Sequence, residues 1–169
     1  MRFLLLAPLL LLLAACAEPD SGDGCDTLHA TSPSCPLAYD DSALTPEHRA
    51  LFREAQDIWE EATGIVLFLN GARQTVTFKA LHGPSGTTLP SGDILFDAET
   101  HFDLTCDFVE NPLWSDGPPF LPVALHELGH AIGLSHSDDS NSIMYPVSPP
   151  ELCPPPSTED VAEVQVIWN

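Results

Sequence analysis

HELGHAIGLSH, residues 126–136, places three of the chain's seven histidines beside a glutamate in one short segment. Positions four apart share a helix face, so a helix here directs the imidazoles of His126 and His130 at one point. Gly133 permits a sharp turn after the helix, which returns His136 as a third nitrogen. Neutral imidazole suits zinc, and three protein ligands with one open position is the coordination of a catalytic ion, not of a closed structural one. Glu127, one position on from His126, points beside such an ion, where its carboxylate can take a proton from the attacking water. A bare H-E-x-x-H is a modest signal, but requiring Gly133 and His136 as well lowers the odds of coincidence by roughly three orders of magnitude.

Working outward, the helical pattern around this motif runs from Phe120 to Leu134, with Pro122 near its start. Residues 44–64, LTPEHRALFREAQDIWEEATG, predict an earlier helix with Thr45 as N-cap, Pro46 at the first helical position and Gly64 just past the end. Leu51, Phe52, Ala55, Ile58, Trp59 and Ala62 form its apolar face. IVLFL (65–69), TVTF (75–78) and DILF (93–96) read as strands, with a Gly- and Pro-containing loop, HGPSGTTLPSG, before the last. TEDVAEVQVIW (158–168) reads as a closing helix, capped by Ser157 with Asp160 in a capping-box arrangement. The sum is an α+β domain: a twisted mixed sheet of about four to five strands, backed by the first helix and the active-site helix and followed by a C-terminal helix.

Several of these segments resemble one family. FLPVALHELGHAIGLSHS is similar to the active-site helix of metzincin zinc metalloproteases of the matrixin, or matrix-metalloprotease-like, branch. SIMYP resembles the Met-turn of that branch, with Met144 as the methionine beneath the metal and Pro146 where astacins and serralysins carry a tyrosine. REAQDIWEEATG, SGDILFDAE and STEDVAEVQVIW resemble the first helix, the strand and acidic turn before the active site, and the closing helix. The resemblance covers residues 37–169 and implies a zincin-like fold, a zinc-dependent endopeptidase activity and protein or peptide substrates. It implies Asp97 and Glu99 as candidate calcium ligands, so Ca2+ joins Zn2+ as a cofactor to test. The chain also departs from the family. HGP at His82 and Leu95 replace residues of the family's second, structural zinc site, so one zinc is expected. GTTLP replaces a longer cleft-lining strand. A catalytically inactive metzincin-like surface binding module is the alternative, and the intact Glu127 speaks against it.

The N-terminus predicts a compartment. MRFLLLAPLLLLLAAC has the basic start and apolar run of a secretory signal. Its end, LAAC, resembles a bacterial lipoprotein signal, implying residues 1–15 as signal peptide and Cys16 as the lipidated N-terminus. Residues 16–36 then form a polar tether, and 37–169 the catalytic domain. This implies an extracytoplasmic, lipid-anchored protein, with the outer membrane or cell surface favoured and contact with the membrane through the lipid alone. Of the five cysteines, Cys25, Cys35, Cys106 and Cys153 remain as disulfide candidates in an oxidising compartment; Cys25–Cys35 with Cys106–Cys153 is the favoured pairing among three. Cys35 as a thiolate on zinc is the lesser alternative. A net charge of −20 excludes nucleic acid as a partner and keeps such a domain soluble; a monomer is expected.

Overall fold

The structure is a computed structural model that describes residues 35–105, 117–147 and 155–168. Cys16, Cys25, Cys106 and Cys153, with the signal and most of the tether, lie outside the described residues. Cys35 is disulfide-bonded.

Four strands form one mixed sheet: β1 (Tyr39–Asp40), β2 (Gln74–Lys79), β3 (Gly86–Thr88) and β4 (Ile94–Asp97), in the order β1-β2-β4-β3. β1 and β4 run parallel to β2, whereas β3 runs antiparallel to β4 with Thr88 opposite Ile94. β3 is thus one edge of the sheet, and its Thr88 hydroxyl reaches Glu127 of the histidine motif. The shortened cleft-lining strand that the resemblance implies at GTTLP forms over its GTT portion.

Helix α1 (Pro46–Thr63) begins and ends where its caps predict. Thr45 accepts from the His48 amide, and Gly64 closes the helix at φ 70°, a left-handed conformation that glycine adopts without a Cβ clash. Its apolar face needs one correction. Ala62 is exposed, and Thr63 is buried in its place, its hydroxyl donating to the Trp59 carbonyl at 2.8 Å. The 65–69 segment is a second correction. It makes a single parallel bridge, Leu37 to Phe68, and no strand. The Glu60 carboxylate accepts from the amides of Leu67 and Phe68, both at 2.8 Å, taking donors that a ladder would use.

Helix α2 (Phe120–Ala131) carries HELGH and crosses the centre of the molecule, where most of its residues are buried. Phe120 meets Phe96 of β4 at a 4.6 Å ring separation and Phe102 edge-on at 5.3 Å, which joins sheet and helix through aromatic packing. On the other side, the Trp59 indole donates to the Leu125 carbonyl at 2.9 Å and fixes α1 across α2. Helix α3 (Thr158–Trp168) closes the domain. Its predicted capping box is formed: Ser157 Oγ accepts from the Asp160 amide at 3.1 Å, and Asp160 accepts from the Ser157 amide at 2.8 Å. Trp168 donates to the Ile132 carbonyl at 2.9 Å, which ties the last helix to the end of α2. Among the described residues no helix is long and apolar enough to cross a membrane.

Candidate metal centre

Helix α2 ends at Ala131, and Gly133, at φ 108°, turns the chain so that His136 comes back toward the helix. One nitrogen from each of His126, His130 and His136 lies within 4.8 Å of the others, and among the described residues this is the group able to hold a metal ion.

Backbone carbonyls set which nitrogens are free to take a metal. His126 Nδ1 donates to Ile143 O at 2.8 Å, and His130 Nδ1 donates to Leu134 O at 2.9 Å. A carbonyl can only accept, so each Nδ1 carries the proton and each Nε2 presents its lone pair, the tautomer a metal requires. Burial pushes the His126 pKa down to about 4, against the opposing pull of the Ile143 carbonyl, so the ring is neutral near pH 7. A donor set of three imidazoles with no thiolate or carboxylate among them fits zinc with one coordination position left for water or substrate.

The loop after His136 is held from below. Ser137 donates through its amide to Met144 O at 3.0 Å, and the Met144 amide donates to Ser142 Oγ at 2.9 Å. Ser142 in turn donates to the buried Asp160 at 2.6 Å, and the Ile143 amide reaches the same carboxylate at 3.2 Å. The carboxylate that caps α3 therefore also fixes Ile143, whose carbonyl orients His126. Met144 is buried against Gly129 of α2: a Cβ at 129 would stand 2.3 Å from Met144 Sδ and 3.2 Å from Trp59 Cζ2. Gly129→Ala is accordingly expected to destabilise the fold by about 1–3 kcal/mol through overpacking and to weaken metal retention, read by thermal unfolding and zinc content. An unchanged melting temperature would refute this packing account.

Glu127 lies on the inner side of the cleft, 4% exposed. Burial raises its carboxyl pKa above the ordinary value, opposed by the Thr88 hydroxyl and by the charge at His136. Thr88 Oγ1 is 2.8 Å from both Glu127 Oε2 and the Glu127 carbonyl oxygen. A cleft of about 780 Å³ runs above, between the 83–90 segment and Pro146–Val147, with His126, Glu127, His130 and His136 along its floor.

This geometry agrees with a comparison of the sequence with known families. Residues 69–169 match the family model described as Matrixin. The chain belongs to the matrixin family. Matrixins are zinc metalloendopeptidases as a class, and curated relatives carry such names. Matrix metalloproteinase-16 of Homo sapiens is 34% identical over 121 residues, which is 60% of this chain and 20% of that protein. Matrilysin of Felis catus is 40% identical over 90 residues, 48% of this chain and 30% of that protein. The matched stretches thus span under a third of these relatives' length.

The other candidate sites stand apart from this matrixin centre. Asp97 is buried and accepts from the Leu81 amide at 2.9 Å and the Thr100 hydroxyl at 2.7 Å, while Glu99 lies 3.3 Å from His82 Nδ1. With these protein partners, the calcium expectation for Asp97 and Glu99 finds no support. What orients the imidazoles leaves no mark in the sequence, because the acceptors at Ile143 and Leu134 are main-chain oxygens that no residue type announces.

Proposed function

We propose that this matrixin domain is an active endopeptidase that binds one zinc through His126, His130 and His136 and uses Glu127 as general base. The observation that carries the reading is the buried Glu127 carboxylate beside three convergent imidazoles on the floor of an open cleft, two of them oriented by backbone carbonyls. Zinc held there supplies a Lewis acid for the scissile carbonyl and for the attacking water. Glu127 takes the water's proton and later delivers it to the leaving nitrogen, a task helped by a carboxyl whose pKa burial has raised. The cleft walls hold the peptide. Because the edge strand β3 is only three residues long, it offers an extended substrate few main-chain hydrogen bonds, and side-chain contacts in the cleft carry more of the selectivity.

Incubation with denatured casein tests the reading. Fragments should appear with zinc present, stop on chelation and return when zinc is restored. A folded, zinc-loaded protein that leaves casein intact would overturn it and favour a surface binding module.

The N-terminal sequence motivates a proposal about location: lipidation of Cys16 anchors the domain outside the cytoplasm of a bacterial cell. Stable anchoring depends on the acyl chains. Cys16→Ser should move the protein from the membrane to the soluble fraction; a variant still in membranes after signal cleavage would contradict the anchor.

A further inference from the structure

We infer that Thr88 is a positioning residue for Glu127, its hydroxyl holding the carboxylate in the orientation from which it acts on the cleft. The consequence for rate rests on the endopeptidase reading above, whereas the contact itself does not. Thr88 Oγ1 lies 2.8 Å from Glu127 Oε2 and 2.8 Å from the Glu127 carbonyl oxygen. An ionised carboxylate and a carbonyl can only accept, so the hydroxyl is the donor, shared between them. β-branching restricts the Thr88 side chain to few χ1 settings, and the pairing of Thr88 with Ile94 fixes the strand that carries it.

Gly86 completes the holder. Strand residues two apart face the same side, so Gly86 and Thr88 both meet α2. A Cβ at Gly86 would lie 2.8 Å from Glu127 Cγ and 2.8 Å from Oε1. One residue of β3 thus holds one carboxylate oxygen, and the missing side chain of the other leaves room for the second. Glutamate is among the side chains with most rotamer freedom to lose on burial, so without this holder its carboxylate would sample orientations turned from the cleft.

A purely structural role, tying β3 to α2 through the Glu127 carbonyl, makes a different set of predictions. The test compares the full chain with Thr88→Val, which keeps shape and loses the hydroxyl, and with Thr88→Ser, which keeps the hydroxyl. Zinc content, kcat and KM on a quenched peptide are measured for each. The 13C resonance of the Glu127 side-chain carboxyl, assigned with Glu127→Gln, is recorded as well. Thr88→Val should lower kcat about tenfold to a hundredfold, as expected for losing a hydrogen bond to a charged group, with zinc content unchanged. KM should stay within about twofold, because the group lost acts in the transition state. The carboxyl resonance should move, and Thr88→Ser should restore both kcat and resonance. A Thr88→Val protein with parental kcat and resonance would overturn the inference, as would a folded Thr88→Ser protein as impaired as Thr88→Val. If the valine variant fails to fold, Thr88→Ala takes its place with the same criteria. If the parent chain cleaves no peptide, the endopeptidase reading fails alone, and the carboxyl resonance still decides the contact.

Discussion

Replacing Glu127 by Gln is expected to lower kcat for peptide cleavage by about 10²–10⁴-fold, the usual contribution of a positioned general base, while zinc content and fold are retained. The substitution is nearly isosteric, and the amide oxygen still accepts from Thr88, so the packing of a residue only 4% exposed is preserved. The candidate metal ligands are His126, His130 and His136, not Glu127, which is why zinc should stay. Steady-state kinetics with elemental analysis of the same sample checks both halves. Activity within tenfold of the parent would remove Glu127 from the proton-transfer role.

The second large effect concerns His136. Outer partners of metal-bound histidines are worth about 10–100-fold in affinity, so deleting a ligand outright should cost more than about a hundredfold. His136→Ala isolates that effect, because the residue is exposed on the loop after Gly133 and its removal opens no core cavity. His126 and His130 keep their carbonyl partners and remain as two imidazoles, too few to hold zinc firmly. Titration against a chromophoric chelator measures the affinity. A variant binding zinc as tightly as the parent would show that His136 is not a ligand.

The sequence makes these two residues legible because their roles depend on residue type and spacing. An i, i+4 histidine pair, a glycine able to adopt positive φ and a third histidine leave few alternatives. The caps of α1 and α3 were readable for the same reason, since Thr45, Gly64, Ser157 and Asp160 act through side chains or backbone freedoms that few residues share. What failed to show in the sequence depends on the main chain or on distant neighbours. β1 is only two residues long and exists through pairing with β2, and IVLFL lost its strand to the reach of Glu60. Gly86 and Thr88 lie in a stretch that reads as a loop by composition, and only the family resemblance marks GTTLP as a shortened edge strand. Their relation to Glu127 appears only when β3 is placed along α2.

An open, three-histidine zinc centre leaves a distinct signature in X-ray absorption at the zinc edge of the folded, zinc-loaded protein. Three imidazole nitrogens at about 2.0–2.1 Å and one further light atom from solvent are expected, with no sulfur in the coordination shell. A shell containing sulfur at about 2.3 Å, or one closed by a fourth protein nitrogen, would contradict it.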